Sequence, residues 1–319
     1  MNTVVDSVLH GEIRSISKLI SKIENGDQES LKILKELYKY TGNSAIIGLT
    51  GAPGAGKSTI TDRLISVYLD RGFKVAVLAV DPTSIFSGGG VLGDRIRMTQ
   101  ANPNLFIRSL ATRGFLGGLS KAVGSIIKLF DAAGYHKILV ETVGAGQSEI
   151  DIRNYAHSVV VVATPNMGDD IQTLKAGILE IGDIYVVNKA DLPESDRTFN
   201  DLQKMIKMVG CKKTGWVPPV LKVAARDGMG ITELVDEIEK HYGFLSSEGL
   251  LLVKKLAMAE KELTEELKDL LLKQVVQKLK ESGRWQECSL LVSQGSQDPL
   301  TGAKELARNL DLNLRELIK

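Results

Sequence analysis

The run Gly51-Ala52-Pro53-Gly54-Ala55-Gly56-Lys57-Ser58-Thr59 is a glycine-rich stretch closed by a lysine and two hydroxyl residues. It has the G-x-x-x-x-G-K-[ST] spacing, and its chemistry is the cradling of a nucleoside triphosphate. Glycines let backbone N–H groups converge on phosphate oxygens, because positive φ and close backbone approach carry no steric penalty for them. Lys57 is the candidate contact to the β and γ phosphates, and the Ser58 hydroxyl the candidate ligand of Mg²⁺. By itself the loop leaves GTP and ATP both open.

A second segment separates the two nucleotides. Asn188-Lys189-Ala190-Asp191 closes an apolar run, at the strand end where ligands bind in open parallel sheets. A carboxylate at Asp191 can accept from both N1–H and the exocyclic amine of guanine. Adenine offers no proton at N1, and a desolvated polar group left unpaired costs roughly 1 to 3 kcal/mol. Asn188, Lys189 and Asp191 are therefore read as the base site, with Val223-Ala224-Ala225 as the candidate segment closing over the base through backbone N–H groups.

Between these segments lie the metal and catalytic candidates. Asp81 ends the run FKVAVLAVD, Asp94 sits in GDRIRM, and Glu141 ends KILVET before Val143-Gly144-Ala145-Gly146-Gln147. Mg²⁺ keeps several waters and takes one or two protein carboxylates, so Ser58 with some of Asp81, Asp94 and Glu141 would suffice. Gln147, six residues past Glu141, is a candidate to orient water, and a solvated loop glutamine is the competing reading.

The elements that must position these residues follow from periodicity. Apolar runs AIIGLT, FKVAVLAV, NLFIRSL, KILVET, SVVVVAT, DIYVVNK and PVLKVAA are separated mostly by segments long enough for helices. Such alternation predicts an α/β fold, a doubly wound, mostly parallel sheet of about seven strands covered on both faces. Before it, Ile13, Ile16, Leu19, Ile20 and Ile23, then Leu31, Leu34, Leu37 and Tyr38, predict a helical hairpin broken at Asn25-Gly26-Asp27. After it, Glu248 to about Ser282 predicts one long helix with Leu252, Leu256, Leu263, Leu267, Leu270 and Leu271 on a stripe. That helix is read either as packed along the domain or as a dimerisation arm, and one more helix is expected past Gly295. The expected division is 1–42 helical, 43–245 nucleotide-binding and 246–319 a helical extension.

Composition excludes several classes. With 40 basic and 39 acidic residues the net charge is +1, and no basic block offers a footprint for nucleic acid. Cys211 and Cys288 are far apart, and the four histidines are scattered, which argues against disulfides, a zinc site or a metal-delivering GTPase. The start lacks a secretory pattern and no apolar run reaches the ~18 residues of a membrane span, so a cytoplasmic protein is expected.

The motifs GAPGAGKST, LAVDPTS, GDRIRM, TRGFLGGLS, ETVGAGQSE, GDDIQTLKAGILEI and NKAD together resemble the MeaB/ArgK-type GTPases, the methylmalonic aciduria type A protein family. The resemblance covers roughly Ile46 to Asp191. It implies a GTPase chaperone of an adenosylcobalamin-dependent acyl-CoA mutase, methylmalonyl-CoA mutase or a relative, that gates cofactor loading and protects the mutase. By that resemblance Lys57, Ser58, Asp81, Asp94 and Glu141 serve phosphates and Mg²⁺, while Asn188 and Asp191 serve the base. It also makes the loop Gly168 to Lys175 a nucleotide switch, with Asp169, Asp170 and Lys175 its charged members, and it implies a homodimer. The different-class alternative is an ATP-using kinase or transport-associated ATPase.

Overall fold

The computed structural model describes residues 3–81, 102–111, 121–142, 148–165, 179–209 and 214–308. Seven strands form one sheet: β1 (Ala45–Thr50), β2 (Val75–Asp81), β3 (Leu105–Ala111), β4 (Lys137–Thr142), β5 (Ser158–Ala163), β6 (Ile184–Asn188) and β7 (Val220–Val223). Their order is β3-β2-β4-β1-β5-β6-β7, and every pairing is parallel. All residues of β1, β4, β5 and β6 are buried, which is why these strands read as unbroken apolar runs rather than alternating ones.

Alternate side chains still separate, because successive residues of a strand point to opposite faces. Ile46, Ile138, Val140, Val159, Val161, Tyr185 and Val187 enter one core cluster. Ile47, Leu49, Leu139, Val160, Val162, Ile184 and Val186 enter another. The helices divide accordingly. The first cluster takes residues of α1 (Thr3–Leu9), α2 (Ile13–Glu24), α3 (Gln28–Leu37), α5 (Lys121–Ala132) and α6 (Ser195–Val209). The second takes Ile60, Leu64, Ile65 and Tyr68 of α4 (Lys57–Asp70) and Ile231, Leu234, Val235 and Ile238 of α7 (Ile231–Ser247).

The amino-terminal hairpin is present with its break at the predicted turn, where Asp27 caps α3 by accepting from the N–H groups of Glu29 at 2.7 Å and Ser30 at 3.2 Å. Two details differ from expectation. A short helix, α1, precedes the hairpin and contributes Val5 and Val8 to the core. On α3 the buried stripe is Ser30, Ile33 and Leu37, leaving Leu31 and Tyr38 exposed, so the inward face is turned from the one apolar counting selected. Asp131 of α5 joins this layer to the sheet. Its carboxylate accepts from the backbone N–H groups of Gly42 (2.5 Å), Asn43 (3.1 Å) and Ser44 (3.0 Å), directly ahead of β1.

The chain forms two compact units, residues 1–254 and 255–319. The long helix expected after Glu248 is α8 (Leu250–Glu281), whose Leu252, Leu256, Leu263, Leu267 and Leu270 are exposed. The helix expected past Gly295 is α10 (Pro299–Arg308), and a further short helix, α9 (Arg284–Ser293), lies between it and α8. Gly283, at φ 74°, separates α8 from α9.

Candidate nucleotide site

The phosphate-loop sequence lies between β1 and α4, at the carboxyl end of a strand flanked by β4 on one side and β5 on the other. The chain runs outward through β2 on one side and through β5 on the other, which makes this the topological switch point where an open parallel sheet binds ligands. Two glycines are dictated by what surrounds the loop. Gly51 has φ 140°, and a Cβ there would stand 2.2 Å from the Val162 carbonyl oxygen of β5. Gly56 has φ 86°, and a Cβ there would stand 2.2 Å from Asn188 Nδ2.

Lys57 opens α4 and is buried, its ammonium donating to the carbonyls of Gly51 at 2.5 Å and Ala52 at 2.9 Å. The ammonium therefore lies against the loop that its charge would serve. Next to it, Ser58 Oγ donates to Glu141 Oε1 at 2.5 Å, and Thr61 Oγ1 donates to Glu141 Oε2 at 3.1 Å. Glu141, only 3% exposed, reaches this position because it stands opposite Leu49 in the β1–β4 register. Thr61 was not singled out from sequence, although its spacing of three from Ser58 on a helix places both on one face.

On the other side of the loop, Asn188 ends β6 and is 3% exposed. Its Nδ2 donates to the Ala55 carbonyl at 2.9 Å, and its Oδ1 accepts from the Ala225 N–H at 3.2 Å. One side chain thus ties the phosphate loop to the segment after β7. Lys189 follows in the left-handed region at φ 58°, and Asp191 is exposed two residues on. The Ala190 N–H donates to the Val223 carbonyl at 3.0 Å, which holds the two base-site segments side by side.

In the segment expected to close over the base, the N–H of Ala224 donates to the Met229 carbonyl at 3.1 Å and that of Ala225 to Asn188 Oδ1 at 3.2 Å. Two further bonds reach this segment from α4, where Arg63 Nε donates to the Ala225 carbonyl at 2.9 Å and Arg63 Nη2 to the Arg226 carbonyl. No sequence signal marked Arg63, since its partners are backbone atoms 162 and 163 residues away. Pro53, Gly54 and Thr59 lie on the exposed side of the loop and helix start. Asp81 ends β2 beside Ala111, and only its backbone is described. Asp94, Gly144, Gln147, Gly168, Asp169, Asp170 and Lys175 lie outside the described residues.

A phosphate loop at the switch point of an all-parallel sheet, with a hydroxyl–carboxylate pair beside it, defines the class of phosphate-loop nucleotide hydrolases. The chain belongs to the family of the methylmalonyl Co-A mutase-associated GTPase MeaB, whose model matches residues 14–280, and it is a GTPase. A relative from Pyrococcus abyssi is 42% identical, with 100% of this chain and 97% of that protein aligned. The mitochondrial methylmalonic aciduria type A homolog of Mus musculus is 36% identical over 66% of this chain and 52% of its own length. Among solved structures, an LAO/AO transport system kinase superposes with a TM-score of 0.73 at 25% identity, covering 96% of each chain.

Proposed function

We propose that this GTPase is a chaperone of an adenosylcobalamin-dependent acyl-CoA mutase, methylmalonyl-CoA mutase or a relative, gating cofactor loading and protecting the mutase. The observation that carries the reading is the mutase-associated family matched across residues 14–280. The mouse relative's description as a methylmalonic aciduria type A homolog supports it.

In this reading Gly51 to Thr59 hold the phosphates, with Lys57 neutralising charge at the β and γ positions, while Asn188, Lys189 and Asp191 hold guanine. The donor set fits Mg²⁺: the Ser58 hydroxyl and the Glu141 carboxylate are hard oxygen ligands already 2.5 Å apart, and Thr61 keeps the carboxylate turned toward Ser58. Bound there, the ion supplies charge neutralisation on the phosphates. Asp81 and Asp94 complete the acidic candidates, and Gln147 orients the attacking water. Gly144 and the stretch from Gly168 through Asp169 and Asp170 to Lys175 act as the switch that reports nucleotide state to the mutase.

The GTPase domain spans 43–245, with 246–319 a helical extension through which two copies pair. Support for pairing is the exposed leucine row on α8, from Leu252 to Leu270, a run of apolar side chains that solvent-facing helices ordinarily lack. Among the described residues no helix is long and apolar enough to cross a membrane, and the compartment we propose is the cytoplasm.

GTP turnover measured with and without an acyl-CoA mutase from the same cell tests the reading, with sedimentation of the protein alone reporting the dimer. Mixing is expected to raise turnover and to shift the mutase into a complex. Unchanged turnover with every such mutase would sink the chaperone role, and competition of labelled GDP by ATP at equal strength would favour an ATP-using kinase instead.

A further inference from the structure

We infer that Arg63 is a positioning residue for guanine selectivity: from the phosphate-binding helix it clamps the segment after β7 against the base site. The inference rests on the reading of Asn188 and Asp191 as base-binding residues.

Arg63 lies six positions after Lys57, in the second turn of α4. Its guanidinium donates to two consecutive carbonyls, Ala225 at 2.9 Å through Nε and Arg226 through Nη2. A planar guanidinium presents its donors in a fixed fork, so two carbonyls bound to one fork have their directions set as well as their distance. Ala225 is gripped from the opposite side by Asn188 Oδ1, which accepts its N–H at 3.2 Å. The linked groups form a ring: Ala55 in the phosphate loop, Asn188 on β6, Ala225 after β7, and Arg63 back on the helix that begins at Lys57.

The segment needs such a clamp. Strand β7 is four residues long and lies at one edge of the sheet, where among the described residues it pairs with β6 alone. The segment beyond it begins with Ala224 and Ala225, which are buried but bring only a methyl group each to the core. Its own turn bonds, Ala224 N–H to Met229 and Asp227 N–H to Ala224, shape it without fastening it to the domain. Small buried side chains on a short edge segment remove little apolar surface from water, and two charge-assisted bonds to α4 add to what holds the segment closed. Asp191 is exposed in the free chain and loses water when a base covers it; with a base bound, an open segment lets water back to its carboxylate, and the penalty for leaving that carboxylate unmatched falls. The phosphates, held at the α4 N-terminus, are not affected in the same way.

The test is the affinity of the full chain for fluorescent GDP and ADP, measured for the unaltered protein and for Arg63→Ala, Arg63→Lys and Asp191→Asn. Arg63→Ala is expected to weaken GDP by about tenfold while ADP changes by less than about twofold, and Arg63→Lys, which keeps the charge without the planar fork, is expected to recover part of the loss. Unchanged GDP affinity in Arg63→Ala, or equal weakening of GDP and ADP, overturns the inference. Loss of GDP-over-ADP preference in Asp191→Asn without any loss in Arg63→Ala leaves the base site standing and removes the role of Arg63. Full preference retained in Asp191→Asn removes both.

Discussion

At the scale of single residues, the site depends on where a side chain is forbidden as much as on where one is present. Gly56 must pass under Asn188, whose amide nitrogen would be 2.2 Å from any Cβ, and its φ of 86° is one that L side chains rarely adopt. Gly56→Ala therefore pushes Asn188 off the Ala55 carbonyl and strains the loop together. Strain of this kind costs on the order of 1 to 3 kcal/mol, so GDP affinity is expected to fall by roughly tenfold or more, read by titration with a fluorescent guanine nucleotide. The glycine pattern was visible in the sequence at once. The identity of the side chain pressing on it was not, because Asn188 is 132 residues further along.

At the scale of elements, one carboxylate fastens the amino-terminal helices to the strand that feeds the phosphate loop. Asp131 on α5 accepts from the N–H groups of Gly42, Asn43 and Ser44, and from Ser44 Oγ at 2.8 Å. Removing the acceptor strands three donors in a half-buried to buried turn, where each unpaired group costs about 1 to 3 kcal/mol less whatever water recovers. Asp131→Ala is expected to lower stability by roughly 2 to 4 kcal/mol, measured as the shift in the urea midpoint, with little change in GDP affinity because the site itself is untouched. The element boundaries were largely legible: β1 and β4 coincide with their apolar runs, and α8 with its leucine-rich stretch. The inward face of α3 was not, since Leu31 and Ile33 are equally apolar and only the partner surface of the first core cluster selects Ile33.

At the scale of the whole molecule, the buried phenols set an alkaline limit. Burial raises the Tyr135 phenol from its ordinary 10.0 to about 12. Tyr68 is raised by burial and by the Glu239 carboxylate, Tyr185 by burial and Asp183, and Tyr242 by burial, Asp131 and Glu239. A phenol whose folded value lies above its unfolded one contributes stability that is complete below the unfolded value. That contribution is lost as pH rises toward the folded value, because the unfolded chain then releases protons that the folded chain keeps. Urea midpoints are expected to be level from about pH 8 to pH 9.5 and to fall steadily by about pH 11, with a shallower fall in Tyr135→Phe. A flat profile to pH 11 would show that these phenols ionise as freely folded as unfolded.

What the sequence determined by itself is the set of features written in local order: the phosphate-loop spacing, the N-K-x-D segment, the runs that become parallel strands, and the long leucine-bearing helix. These depend on periodicity and on the few residue types a given backbone or ligand tolerates, so neighbouring residues suffice to reveal them. Only the tertiary structure decided strand order, the pairing of Ser58 with Glu141 across 83 residues, and the Asn188 and Arg63 bonds that close on Ala225. It also decided the partners of the Ala224 and Ala225 N–H groups, Met229 and Asn188. The reason is the same in each case. A hydrogen bond between segments remote in the chain depends on which strands the sheet sets side by side, and that arrangement leaves no mark in local spacing.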